Sequence, residues 1–320
     1  MKMKVNSIIV LLTLCLLVTA CRRHAYHDLE QVQAGSLRIE FDWNGYTDIP
    51  PGMNLMFYPV EGLGMEEPGY AGRPIKHQLQ YDGGVVSLPV GCYNVAVYND
   101  YTYQILYRGM DTYHTAEAWL EDYDRLPLSS RAIGTRNVAE PDIFYVTRLE
   151  GLQVTAYDED RTITLRPELK TLKLFIHVSI DGLHNVSMAD GGISGIGSSL
   201  MLSTGEATDN TPYNRLFPFS VTDEGLYAET RTFLLPNRAE DCTYTLELAF
   251  LLRNNSVSMG KYAFDVSSQI VPVLQQREGR IPPEGIHIYL HDVVVDEVAS
   301  SGGFDAVVDQ WGDEVNIELK

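Results

Sequence analysis

A run of glycines, an acidic triplet and a knot of tyrosines are the places in this chain where residue type and spacing could do chemistry. Gly191-Gly192-Ile193-Ser194-Gly195-Ile196-Gly197 has the glycine density of a phosphate-cradling loop. Such a loop needs glycine amides at the start of a helix that follows a strand, and no helix pattern flanks this run, so a glycine-rich loop or bulged strand is expected. Asp158-Glu159-Asp160 offers three carboxylates but lacks the spaced oxygens and glycine of a calcium loop, and reads as a solvated acidic turn. Asp122 and Asp124, like Glu66-Glu67, are close carboxylates with no partner that a sequence can place across a sugar bond. Tyr98, Tyr101, Tyr103 and Tyr107 crowd around a turn at Asn99-Asp100. Exposed rings stack on sugars, which makes Tyr101 and Tyr103 the glycan-contact candidates. Packing on a strand face is the more ordinary fate, and the chain's 19 tyrosines make that the favoured reading for the cluster. No G-x-S-x-G, H-E-x-x-H, CxxC or zinc-spaced Cys/His motif occurs. The expectation is a protein without catalytic residues, metal or cofactor.

Cys21 invites covalent chemistry of another kind. Lys2 and Lys4 precede an apolar run from Ile8 to Val18, and Val18-Thr19-Ala20-Cys21 closes it. The run is too short to span a bilayer comfortably and reads as the core of a secretory signal. Small residues ahead of the cysteine resemble a bacterial lipobox. That resemblance implies cleavage before Cys21, diacylation of its thiol and acylation of the new amino group, so that several chains anchor the protein. Residues 1–20 are therefore read as a lipoprotein signal peptide, and 21–34, polar and pattern-free, as a tether.

Composition constrains the chain beyond the leader. Hydrophobic content of 45% and charged content of 21% suit a packed globular protein. The whole chain has a net charge of −19; without the two leader lysines, 22 basic residues face 43 acidic ones, a net of −21. Such a surface repels nucleic acid and anionic headgroups, which excludes nucleic acid as an expected partner. With Cys21 lipidated, Cys92 and Cys242 are the pair left. Export permits a disulfide between them, but they fall in different expected domains, and two buried thiols are favoured.

The pattern behind these residues is almost entirely one of strands. From Ser36, Leu37, Ile39 and Phe41 alternate with Arg38, Glu40 and Asp42, the period of a strand with one wet face. Leu55 to Tyr58, Lys76 to Tyr81, Val85 to Leu88, Cys92 to Tyr98 and Ile105 to Tyr107 continue the series, with a hairpin turn at Asp82-Gly83-Gly84. Thr112 to Leu126 mixes helix propensity with strand surroundings, and 127–140 reads as an exposed loop. Strands resume at Ile143 to Val146, Gln153 to Ala156 and Thr162 to Leu165. A second set runs from Thr171 to Ile180 through Arg231 to Leu235, Thr243 to Leu252, Lys261 to Val266 and His287 to Leu290, ending at Val315 to Leu319. Leu88-Pro89 before Cys92-Tyr93 and Leu235-Pro236 before Cys242-Thr243-Tyr244 echo each other. With no βαβ unit, this predicts an all-β protein of two sandwiches in series, 35–165 and 166–320.

The order of segments carries a resemblance. Phe41-Asp42-Trp43, Val90-Gly91-Cys92-Tyr93, Ile105 to Gly109, Pro141 to Tyr145, Ile163 to Pro167, Ser194 to Gly197, Phe264 to Ile270 and Gly302 to Trp311 resemble in register a family of Bacteroidales lipoproteins. That family is allied to the anchor subunits of fimbriae, the FimB-like and minor-fimbrium anchor proteins. The resemblance implies two tandem transthyretin-like β-sandwich domains behind a lipidated N-terminus, and a non-enzymatic outer-membrane lipoprotein serving as anchor or accessory subunit of a fimbria-like structure. Better-known relatives assemble by strand complementation, so fimbrillin-like subunits become the implied partners. Val315, Ile317 and Leu319, alternating at the end of the sequence, fit either a donor strand or the last strand of the second sandwich, and the plain strand is favoured. Arg22-Arg23-His24 stand where surface-displayed lipoproteins often carry acids, so either face of the outer membrane remains open. The competing reading is a surface lipoprotein that binds glycan or another ligand through loops at the sandwich tips.

Overall fold

The computed structural model describes residues 34–60, 73–122, 136–157, 161–208, 213–233, 243–277 and 280–295. The alternation that opens at Ser36 becomes β1 (Ala34–Phe41), with Leu37, Ile39 and Phe41 buried and Arg38 and Glu40 exposed. In chain order there follow β2 (Gly52–Pro59), β3 (Ile75–Gln80), β4 (Gly84–Pro89), β5 (Gly91–Asn99), β6 (Ile105–Arg108), β7 (Glu117–Leu120), β8 (Asn137–Val138), β9 (Tyr145–Val154), β10 (Thr162–Leu165) and β11 (Glu168–Leu169). Then come β12 (Thr171–Asp181), β13 (Val186–Ile196), β14 (Ser199–Met201), β15 (Tyr213–Thr222), β16 (Gly225–Phe233), β17 (Thr245–Leu252) and β18 (Val257–Asp265). A helix, α1 (Ser267–Gln276), leads to β19 (Ile286–Val294). The protein is all-β in class, as its sequence predicts.

Three layers explain the sequence pattern of the first half. A sheet of order β10–β1–β4 packs on a five-stranded sheet of order β11–β9–β5–β2–β3, sharing one apolar cluster that includes Leu37, Phe57, Tyr93 and Val154. The far face of the five-stranded sheet carries a second cluster, in which Met56, Tyr58, Ala96 and Tyr98 meet Leu120, Ile196, Leu200, Tyr213 and Phe233. Strands β2 and β5 are therefore covered on both faces. This is why they read as continuous apolar runs, whereas β1, covered on one face, alternates.

That second cluster, and the strands around it, join the two halves of the sequence. β7 pairs with β6 on one side and with β14 on the other, Ala118 standing opposite Leu200. β8 pairs in parallel with β15. The later strands form a large sheet of order β18–β17–β13–β15–β16–β12–β19, with β8 beside β15. Strand β15 pairs with β13 through Ala189–Ile196 and with β16 through Ser220–Thr222, so it carries the sheet round from one side of the apolar interior to the other.

Local readings met tertiary context in several places. The ambiguous stretch after Thr112 contains β7, its strand state fixed by partners on both sides. The two expected strands at Ile143–Val146 and Gln153–Ala156 are one long strand, β9, broken in register where it passes Tyr93 and Val95 of β5. Asp82-Gly83-Gly84 does turn, with Gly83 N–H donating to Gln80 O at 2.9 Å, but the strands it joins enter different sheets. Gly83 has φ +103° and lies against Ile39, where a Cβ would come within 2.0 Å of the carbonyl oxygen, so this turn is a corner between layers and not a simple hairpin. The glycine run is β13, a bulged strand with a register shift between Ile193 and Ile196. A Cβ on Gly191 would stand 2.5 Å from the ring of Phe219 and 2.6 Å from that of Phe217, so packing accounts for the glycine. Helix α1 lies where the sequence carries no helical pattern, with Pro272 inside it.

Candidate functional site

The tyrosine cluster divides into an inner and an outer pair. Tyr98, on β5, and Tyr107, on β6, lie with ring centroids 4.6 Å apart, and the Tyr107 hydroxyl is 3.0 Å from that of Thr102. Burial, with the Asp100 carboxylate adding to it, pushes the Tyr98 phenol up to about 12. Burial likewise raises Tyr107. Both rings are structural. Tyr101 and Tyr103 point outward, 66% and 81% exposed, on the turn between β5 and β6.

Hydrogen bonds hold that turn firmly. Asn99 is buried, its side-chain oxygen accepting from Tyr145 N–H at 2.7 Å and its amide donating to Ile143 O at 3.1 Å. Asp100 accepts from Tyr101 N–H at 2.9 Å and from the Gln78 side chain. The Asp142 carboxylate accepts both Tyr103 N–H and Gln104 N–H at 2.7 Å. Tyr101 takes φ +56°, a conformation these anchors sustain. Beside Gln104 opens a cleft of about 400 Å³ lined by Glu140, Asp142, Arg215 and Arg231. Arg215 donates to Glu140 at 2.7 Å, and the other Glu140 oxygen accepts Arg231 N–H at 2.9 Å. The tip thus presents two open rings, and the polar cleft beside Gln104 holds the Arg215–Glu140 ion pair.

A second arrangement lies where the large sheet ends. Strands β18 and β19 are its two end strands, and they approach each other: the Tyr262 hydroxyl donates to Val294 O at 3.1 Å. Helix α1 sits against β19 through Gln269. Its amide donates to Tyr289 O at 3.0 Å and its oxygen accepts Tyr289 N–H at 2.8 Å. A side-chain amide here does what a neighbouring strand's backbone would do. The edge of β19 is thereby blunted at one residue, a common means of guarding a sheet edge.

The other sites singled out in the sequence fall differently. Cys92 is buried with a free thiol. Cys21, Cys242, the triplet at 158–160 and Val315, Ile317 and Leu319 lie outside the described residues. Among the described residues no three His, Cys, Asp or Glu side chains converge as a metal site would require, and no helix is long and apolar enough to cross a membrane.

The comparisons with known proteins fit this geometry. The family described as a domain of unknown function, DUF5119, matches residues 21–216, more than half of the sequence. The chain belongs to that family. A Bacteroides ovatus protein provisionally named fimbrium anchoring subunit Fim4B is 26% identical over 343 residues, covering 97% of both chains. Among solved structures, one of a Bacteroides ovatus protein provisionally described as an adhesin superposes with a TM-score of 0.64 at 24% identity, over 82% of this chain and 93% of that one. The fimbrial anchor protein Mfa2 of Porphyromonas gingivalis superposes with a TM-score of 0.51 at 12% identity, over 80% and 90% of the two chains. These structures share the fold. The resemblance read from the ordered motifs is therefore met by a DUF5119 match and by an end-to-end relative carrying an anchor-subunit name.

Proposed function

We propose that this DUF5119 protein is a non-enzymatic subunit of the cell envelope that anchors, or assists in assembling, a fimbria-like surface structure. The observation that carries the reading is the match to the Fim4B-named relative over 97% of both chains, which leaves no large part of either unaccounted for. The lipobox adds the means of attachment: cleavage before Cys21 and acylation of that residue would tether the folded part to the outer membrane. The two sandwich units 35–165 and 166–320 would act as one body, since β7–β14 and β8–β15 pairings cross between them. Its partners would be fimbrillin-like subunits engaged by strand addition. The end strand β18 would offer an edge for that, β19 being capped at Tyr289 by Gln269. The alternating Val315, Ile317 and Leu319 offer a strand to give, although closing the chain's own second sandwich remains the favoured role for that segment.

Affinity capture of the lipidated protein from crosslinked outer membranes tests this. Fimbrillin-like subunits are expected in stoichiometric amount, and metabolic labelling with an alkynyl fatty acid should mark the wild type but not Cys21→Ser. Deleting residues 314–320 should abolish capture without changing the melting temperature if they are a donor strand, and should unfold the protein if they are a core strand. Recovery of a porin-type importer, or of no stoichiometric partner, would overturn the anchoring role.

A further inference from the structure

The outer face of β16–β12–β19 carries an aromatic surface that strand register assembles. His177 of β12 stands opposite Tyr227 of β16 on one side and Tyr289 of β19 on the other. One rung along, Phe175 stands opposite His287. The rings are ordered: His177 and Tyr289 have centroids 4.8 Å apart at 14°, Phe175 and His287 4.6 Å apart at 14°, and His177 and Tyr227 5.2 Å apart at 50°. His177 Nε2 lies 3.3 Å from His287 Nδ1, within hydrogen-bond reach, and the two rings are inclined by only 16°. These side chains are partly or fully open to solvent, Tyr289 at 48%.

A cleft of about 620 Å³ opens at the end of this surface, lined by His177, Ser179, Asp223, Glu224, Tyr227 and Tyr289. Its acidic wall is the turn between β15 and β16. Thr222 closes that turn by donating to Gly225 O at 2.9 Å, and Gly225 lies so close to β12 that a Cβ would stand 2.2 Å from Val178 O. Asp223 and Glu224 are thus held beside the rings by a close backbone approach.

We propose that this cleft is a binding site for a neutral carbohydrate. Its volume is that of a small-molecule site, enough for a short saccharide. Rings give a sugar's C–H face something flat to lie on, while its hydroxyls need partners that both donate and accept. The cleft supplies both, with carboxylates from Asp223 and Glu224, hydroxyls from Ser179, Tyr227 and Tyr289, and the His177 ring nitrogen that does not face His287. A cationic side chain, which carries donors alone, would use only the cleft's acceptors and leave the cleft's donors idle. An acidic glycan or anionic lipid would meet two carboxylates on a chain of net charge −19. The site is separate from the Tyr101–Tyr103 tip and stands whether or not the anchoring role does.

The test is an array of neutral, amino and acidic oligosaccharides with oligolysine spotted alongside, probed with the full-length protein in detergent, followed by calorimetry on the best neutral hit. At least one neutral oligosaccharide should bind. Tyr289→Ala and Tyr227→Ala should each weaken it about tenfold, the scale of one lost ring contact, and Asp223→Asn with Glu224→Gln should weaken it further. Tyr227→Phe should retain most of the affinity, and Tyr101→Ala with Tyr103→Ala should leave it unchanged. Tyr289 is exposed, so its truncation reports on binding without threatening the fold. No neutral ligand, a ligand insensitive to both tyrosine truncations, or preferential capture of oligolysine or acidic glycans would overturn the assignment.

Discussion

Phe144 and Phe233 come from opposite halves of the sequence and meet in the cluster that joins them, so truncating them asks whether the two units unfold together. Phe144 is fully buried just before β9, its N–H accepted by the Thr171 hydroxyl at 3.1 Å and its carbonyl accepting Lys170 N–H at 2.7 Å. Phe233 ends β16 at 1% exposure, opposite Thr171 of β12. The rings stand edge to face with centroids 6.1 Å apart. Either Phe→Ala change should cost about 3–5 kcal/mol, since the fixed backbone around both rings limits collapse of the cavity. The two should be coupled by about 0.5–1.5 kcal/mol in a double-mutant cycle. The assay is hydrogen exchange under native conditions, read on amides of β12, β16 and β17. If the halves open as one cooperative unit, Phe144→Ala should lower protection in those second-half strands by the full cost of the truncation, about two to four powers of ten. In a Trp311→Phe background, Trp43 and Trp119 fluorescence should report the same urea midpoint as circular dichroism. Protection in β12–β17 that survives Phe144→Ala, or two separated transitions of which only one moves, would refute a shared core and favour independent domains in series.

Glu117 sits in the same junction. It accepts from Arg108 at 3.0 Å and from the Thr208 hydroxyl at 2.6 Å. Burial alone would raise its carboxyl, but hydrogen bonds from Arg108, Thr208 and Ser199 outweigh that and hold it below the ordinary 4.5. A depressed carboxyl stabilises above its unfolded value and loses that contribution as pH falls through the folded one. Thermal melts should therefore show Glu117→Gln costing about 1–3 kcal/mol at pH 7 and progressively less as the pH is lowered below 4.5. Gly191→Ala should lower the melting temperature by an overpacking cost of about 1–3 kcal/mol, with no change in nucleotide or phosphate binding by calorimetry; a phosphate-loop role would require the opposite pattern. Cys92 should resist a thiol reagent in the native Cys242→Ser protein and react on unfolding, whereas fast native labelling would contradict its burial. Gln269→Ala should increase exchange at Tyr289 N–H, because it removes the side-chain oxygen that accepts that proton at 2.8 Å.

Much of the fold was legible because period and burial are local. Leu37, Ile39 and Phe41 announce a one-sided strand, and the unbroken apolar runs of β2 and β5 announce strands covered twice. The split expected at Arg166-Pro167 lies between β10 and β11, and the pairings of β7 with β14, β8 with β15 and β9 with β11 all cross it. What could not be read was how strands choose partners. β7 is only four residues long, and its ends are set by β6 and β14, the latter some 80 positions away in sequence. The corner at Gly83 looks like a hairpin to any local rule, because the clash that excludes a side chain there comes from Ile39 on another strand. Helix α1 contains Pro272 and β-branched Ile270, Val271 and Val273. Its helical state comes from docking Ile270 and Leu274 into the core and Gln269 onto β19, contacts that override a weak propensity.

The same limit applies more sharply to the proposed carbohydrate cleft. Tyr101 and Tyr103 drew attention because they are neighbours in sequence. The rung of Tyr227, His177 and Tyr289 is also a neighbourhood, but one created across three strands, its two tyrosines 50 and 112 positions beyond His177. Along each strand only one of the three rings is visible, embedded in ordinary alternation: Lys173, Phe175 and His177 on β12, His287, Tyr289 and His291 on β19. Sequence did carry a signal. On β19 three consecutive wet-face positions are aromatic or histidine, where a solvated face favours charges and small polar groups, and β12 offers a matching pair. An outward face rich in rings on two strands can be solvated only at a cost, and lacks a reason if it packs against nothing. The register that places those two strands side by side turns a weak pattern on each into a surface with a ligand chemistry of its own.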